Sequence, residues 1–148
     1  MSNQIASENK KLCNTICVQI LDLDSSIRFA GFCNKMGTIL AAECRNGIAP
    51  LLTDKESKLS FMESVLRMST RYDTQPNLGK PIYSLSVYQN VRRATVLIDN
   101  KDYPILLVSF DNIDNIYLER KQIDYESIIL RGILPLVYCY LNSPNSVL

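Results

Sequence analysis

Apolar and polar residues change their period several times along the chain, and each change marks an element. In residues 7–23 the apolar positions Leu12, Ile16, Ile20 and Leu23, flanked by Cys13 and Cys17, recur at helical spacing. Asp24-Ser25-Ser26 ends that helix with residues that favour turns. Residues 27–33 and 38–44 are strand-like and flank Asn34-Lys35-Met36-Gly37, a hairpin pattern with a glycine free to take a positive φ. If Cys33 faces Thr38, Arg28 lies opposite Glu43, a cross-strand pair that contributes about 0.2–1 kcal/mol.

Thr53-Asp54-Lys55-Glu56 has the spacing of a capping box, in which the first and last residues satisfy each other's orphan backbone donors. It predicts a helix over residues 53–72. Leu59, Met62, Val65 and Leu66 form its apolar stripe, widened by Phe61, Met68 and Tyr72, and Glu63, Arg67 and Arg71 take the solvent face. Pro76-Asn77-Leu78-Gly79 breaks the pattern, and strand-like runs follow at 82–88, 91–98 and 105–110, with Gln89-Asn90 and Asn100-Lys101-Asp102 at the turns. A polar stretch, 111–122, leads to a last helix capped by Asp124. Pro135 lies inside its apolar pattern and predicts a kink or a break there.

The order α-β-β-α-β-β-β-α predicts an α/β (α+β) fold. Residues 105–110 are apolar on both faces, which suits a central strand. Residues 82–88 alternate serines with large side chains and suit an edge. Both placements are met by a five-stranded, mainly antiparallel sheet of order 2-1-5-4-3 with helices on both faces. Residues 1–7 are expected to be a disordered tail, 8–142 a single domain and 143–148 a C-terminal tail.

Composition narrows the chemistry. The 148 residues carry 16 basic and 15 acidic side chains, so no long-range field points to nucleic acid or an anionic membrane as a partner. No apolar run reaches the length of about 20 residues that a membrane span needs. Five cysteines, an odd number, in a chain able to build its own core argue for free thiols and a cytoplasmic location. There is no histidine, which excludes Ser-His-Asp and Cys-His catalysis and most zinc and iron sites.

The remaining motifs are weak. Cys13 and Cys17 share one helical face, and Cys33 and Cys44 would complete a four-thiolate set, yet buried free cysteine packs well as a small hydrophobe, and no metal is expected. Ser7-Glu8-Asn9-Lys10 matches a serine-lysine pattern without the later Lys-Thr-Gly triplet that should accompany it. The acidic stretch from Asp111 lacks an EF-hand's glycine and closing glutamate, because Ile116 and Gln122 stand in their places. Arg92 and Arg93, adjacent on a strand, point to opposite faces; with Arg67, Arg71 and Lys80 they would make a basic patch, near which Tyr83 and Tyr88 could stack on bases. Two solvated arginines with packed stems are the better account.

The long capped helix between a two-stranded and a three-stranded half, over residues 8–142, resembles the roadblock/longin/profilin-like group. Within it, Phe29-Ala30-Gly31-Phe32-Cys33-Asn34-Lys35-Met36-Gly37-Thr38-Ile39-Leu40 is similar to the opening hairpin of roadblock domains. Residues 78–95, with Leu106-Leu107-Val108-Ser109-Phe110 after them, are similar to a set of small archaeal proteins, a likeness that implies no activity. The roadblock resemblance implies a non-enzymatic dimer that scaffolds complexes and often sits on small GTPases. It carries no catalytic motif and no cofactor. The expected function is therefore a homodimeric, non-catalytic interaction module serving a protein partner, and the alternative is a small-ligand sensor on a similar sheet. The expected dimer interface comprises Phe61, Val65, Met68 and Tyr72 of the helix with Tyr83, Leu85, Ser86, Val87 and Tyr88 of the edge strand.

Overall fold

Residues 2–71, 74–112 and 124–141 are described by a computed structural model. Helix α1 (Ser2–Leu21) leads into strands β1 (Ile27–Cys33) and β2 (Ile39–Cys44), and helix α2 (Asp54–Arg71) and the single turn α3 (Gln75–Leu78) follow. Strands β3 (Tyr83–Val87), β4 (Val91–Leu97) and β5 (Ile105–Asp111) precede a C-terminal helical run. That run comprises α4 (Tyr125–Ile128), a π turn (Ile129–Ile133) and α5 (Leu134–Leu141). The five strands form one antiparallel sheet in the order β2-β1-β5-β4-β3. This is the expected sheet, with β5 central and β3 at an edge.

The two faces of the sheet are covered unequally. On one face α1 and the C-terminal helix bury the larger core, in which Cys13, Ile16, Cys17 and Ile20 of α1 meet Ala30, Phe32, Leu106, Val108 and Phe110 of the sheet. Ile129, Ile133 and Val137 close that core from the C-terminal side. On the other face α2 is, among the described residues, the one helix over a small cluster of Cys33, Phe61, Ile105 and Leu107. Two glycines let it approach. A Cβ on Gly31 would lie 2.8 Å from the Phe29 ring and 2.9 Å from the Phe61 ring, so those rings can meet edge to face over the strand only because it is absent. A Cβ on Gly37, at φ +83°, would lie 2.7 Å from Met62 Cγ and 3.0 Å from Met62 Cα, so the hairpin turn seats the helix backbone.

Several expectations need correction. α1 is helical from Ser2, which replaces a tail over residues 2–7, and it ends at Leu21, leaving Leu23 exposed. The β1–β2 register is Ala30 opposite Glu43 and Cys33 opposite Ile39, with a bulge between Phe32 and Cys33. The Asn34 side chain accepts from the backbone N–H groups of Met36 and Thr38 and tightens the turn, which displaces the expected register. Arg28 therefore pairs with Asp111 of β5 and not with Glu43. Helix α2 buries Ser60, Phe61, Ser64 and Met68 and leaves Leu59, Met62 and Leu66 exposed, so most of its expected stripe faces outward.

Pro135 neither breaks nor ends the last helix. The turn just before it widens, and the Leu134 N–H donates to the Ile129 carbonyl five residues back. A π turn relieves the clash between a proline ring and the preceding turn, so the helix continues. Other elements form as expected. Thr53 N–H donates to Glu56 Oε1 at 3.0 Å and Glu56 N–H to Thr53 Oγ1 at 3.1 Å, completing the capping box. Those bonds hold the Glu56 carboxyl below its ordinary pKa. Asp124 accepts from the Ser127 N–H at 3.0 Å at the start of α4. Tyr72, most of the polar stretch after Asp111 and the expected tail at 143–148 lie outside the described residues.

Candidate functional site

Two surfaces are candidates for function, and both follow from how α2 lies on the sheet. The first is the β3 edge together with the outward side of α2. Because strand residues alternate, Tyr83 and Leu85 point toward the face of the C-terminal helix and pack against the larger core, while Ser84 and Ser86 share the α2 face with Thr95 and Arg93 of β4. Tyr83 donates its hydroxyl to Glu126 Oε1 at 3.4 Å. Val87 and Tyr88, at the end of the edge, are exposed. Among the described residues no strand pairs with the outer side of β3.

The expected interface residues of α2 fall into two groups. Phe61 and Met68 are 1% and 2% exposed and belong to the chain's own core, which removes them from any contact with a second subunit. Val65 is half-buried against the same cluster. The residues that α2 presents outward are Leu59, Met62 and Leu66, with Leu66 66% exposed. Leu51 and Leu52, just before the helix, are exposed as well. A group of large apolar side chains left in water is a common mark of a contact surface.

The candidate basic patch does not assemble. Arg92 lies on the face of the C-terminal helix, its guanidinium 4.4 Å from the centre of the Tyr125 ring and its Nε donating to Asn112 Oδ1 at 3.3 Å. Arg93 points to the opposite face, as adjacent strand residues must. Lys80 precedes the start of β3, where it meets Asp99 at 3.3 Å, whereas Arg93 pairs with Ser86 near the strand's end. Arg71 is exposed in the last turn of α2. Only Arg67 comes close enough to Arg93 to act on it.

The second surface is a cavity of about 600 Å³ between the sheet, the start of α2 and the loop of residues 45–52. Its floor is a single row across the strands, in which Cys44, Phe29, Ser109 and Arg93 are successive register partners. The helix covers the rows beyond this one, so the loop from Ile48 to Leu52 forms the roof. Phe61 closes one side, and Tyr88 to Val91 close the end. Among the described residues the lining is mainly apolar, includes two arginines and contains no acidic residue.

The two arginines differ in their partners. Arg28 Nη1 meets Asp111 Oδ1 at 2.5 Å, and Arg28 Nη2 donates to the Ala49 carbonyl at 3.3 Å, which ties the roof to the sheet. Arg45 Nη2 meets the other Asp111 oxygen at 2.8 Å, and its Nη1 donates to the carbonyls of Ser25 and Ile27. Desolvation raises the Asp111 pKa, but the hydrogen bonds and charges of Arg45 and Arg28 outweigh it and leave the carboxyl below its ordinary value. Arg93 is half-buried and, among the described residues, has no carboxylate within ion-pair distance. Burial pulls its pKa down and Arg67 adds to that, while a hydrogen bond to Tyr88 and the charge of Glu63 oppose it. Pattern reading took Arg93 for a solvated arginine with a packed stem, because a cavity floor drawn from four strands has no signature in any one segment.

Three of the five thiols pack as small hydrophobes. Cys13, Cys17 and Cys33 are buried and Cys44 and Cys139 exposed. Burial pushes the Cys13 and Cys33 thiols up to about 12 and raises that of Cys17 further. Among the described residues no three Cys, Asp or Glu side chains gather as metal ligands, and no helix is long and apolar enough to cross a membrane.

No family model matches the chain, and no curated protein matches it. Solved structures do. An MglB with a tetrameric arrangement is similar to it with a TM-score of 0.65 at 10% identity, over 90% of this chain and 88% of that one. The gliding protein MglB of Thermus thermophilus is similar with a TM-score of 0.58 at 11% identity, over 72% and 76%. A Roadblock/LC7 domain from Streptomyces avermitilis is similar with a TM-score of 0.58 at 6% identity, over 90% and 95%. Identities this low speak for the fold alone. The chain has the roadblock fold. These neighbours lend no support to the archaeal likeness or to the profilin side of the resemblance.

Proposed function

We propose that the protein is a non-catalytic interaction module, a homodimer joined through β3 that presents the outward side of α2 to a protein partner. The observation that carries this reading is the β3 edge. Its residues, Tyr83 to Val87, carry no charge and no proline, whereas edge strands of monomers are usually protected by lysine, proline or bulges. Pairing with the same strand of a second subunit satisfies its free backbone groups in a closed twofold arrangement. A protein of the same fold has been seen in a tetrameric arrangement, which supports self-association as a property to test first.

The exposed Leu59, Met62 and Leu66 then form the surface for a different protein. The resemblance to roadblock domains makes a small GTPase or a signalling complex the class of partner to try. Light scattering should give about twice the 16.8 kDa chain mass. Ser86→Lys, which sets like charges near each other across the twofold junction, should weaken the dimer at least tenfold. Leu66→Glu should leave the dimer intact and abolish capture of the partner. A monomer at micromolar concentration, or a dimer indifferent to charge along β3, would refute the reading.

A further inference from the structure

The cavity beneath the loop of residues 45–52 meets the first surface at Tyr88, Leu51 and Leu52, but its floor lies on the sheet and its chemistry is of another kind. Phe29 and Phe61 meet edge to face with ring centres 6.1 Å apart, and Val91 and the Ile48–Leu52 loop extend that apolar wall. At about 600 Å³ the space lies in the range of small-molecule sites, which are mostly apolar with a few placed polar groups. The floor crosses three interstrand steps between Cys44 and Arg93, a length of about 14 Å.

Charge sets the class of ligand. Asp111 is shared by Arg28 and Arg45, so Arg28 is already engaged. Arg93 has a hydrogen bond to Tyr88 and feels the charge of Glu63, but it forms no ion pair among the described residues: it sits half-buried at the Tyr88 end of the cavity, and the described lining offers it no carboxylate. A guanidinium withdrawn from water is stabilised by an anion that presents oxygens to its planar fork of donors. We infer that this cavity binds a small amphipathic anion, whose carboxylate or phosphate rests on Arg93 while its apolar body lies along Phe29 and Phe61 beneath the loop.

Cys44 provides a reporter, because it lines the far end of the floor and is exposed, while Cys139, also exposed, lies on the C-terminal helix outside the cavity. The full chain would be titrated by calorimetry with dodecanoate and dodecyl phosphate, whose extended chains match the floor in length, and with dodecyltrimethylammonium as the cationic control, all below their micellar concentrations. Alkylation of the two thiols by iodoacetamide would be followed by mass spectrometry in parallel.

Saturable binding of one anion per chain is expected, with Cys44 protected at least tenfold and Cys139 unchanged. The carboxylate and phosphate arms then tell which head group the site prefers. Arg93→Gln should weaken both anions at least tenfold without altering the mass seen by light scattering, so a failed dimer and a failed cavity are read separately. No saturation below millimolar ligand, equal protection of both thiols, equal binding of the cation, or an Arg93→Gln protein that binds as before would each overturn the inference. The protection measurement on the unaltered chain decides the matter even where the variant folds poorly.

Discussion

Asp111→Asn isolates the electrostatic cluster that fastens the cavity roof to the sheet. Asp111 bridges Arg28 at 2.5 Å and Arg45 at 2.8 Å, and the three side chains are 22%, 17% and 28% exposed. Exposed ion pairs contribute about 0–1 kcal/mol, whereas removing one partner of a fully buried pair costs about 3–5 kcal/mol. These groups lie between those limits, and the substitution also leaves two guanidinium groups facing each other without an anion. A loss of about 2 kcal/mol in urea unfolding is expected at neutral pH, or roughly 4–8 °C in Tm for a chain of this size. Because the folded-state pKa of Asp111 is lowered, its contribution is fully present above the ordinary carboxylate pKa of about 4 and is lost as pH falls through the depressed folded value. The stability gap between the parent chain and the variant should therefore close in acid. Arg28 also bonds the Ala49 carbonyl, so hydrogen exchange at residues 48–52 should quicken in the variant. A gap below about 0.5 kcal/mol at neutral pH, the scale of an ordinary surface substitution, or one that does not change with pH, would show that the cluster is merely a surface decoration.

Phe61→Ala should cost about 3–5 kcal/mol in chemical denaturation, because the ring is 1% exposed in the small α2 core. Leu66→Ala, at 66% exposure, should stay within about 0.5 kcal/mol, and the opposite ranking would mean that the helix is rotated about its axis. Gly37→Ala should destabilise by at least the 1–2 kcal/mol or so of a left-handed residue, with Met62 Cγ only 2.7 Å from the new methyl group; an unchanged denaturation midpoint would contradict that seating of α2. Ellman's reagent should titrate two thiols in the folded chain, Cys44 and Cys139, and the other three only after unfolding; rapid reaction of Cys13, Cys17 or Cys33 would contradict their burial.

What was legible in the sequence was local, and what was not depended on contacts between distant segments. The capping box at Thr53 and Glu56, the apolar run of β5 and the serine alternation of β3 each sit within a few residues, and together they specified the sheet order. The face that α2 buries is a different matter. Ranked by hydrophobicity alone, Leu59, Met62 and Leu66 outweigh Ser60 and Ser64, and a periodicity argument must choose the leucines. The helix lies the other way because Gly31 clears room for Phe61 and Gly37 seats the backbone at Met62, and both glycines belong to the β1–β2 hairpin. The small residues Ser60 and Ser64 on the buried side then let the helix lie close to the sheet, with the Ser64 hydroxyl satisfied by the Ser60 carbonyl at 3.0 Å. The same orientation produces both candidate surfaces. It turns three large apolar side chains outward for a partner, and it leaves the row from Cys44 to Arg93 beyond the helix's cover, open to a small anion.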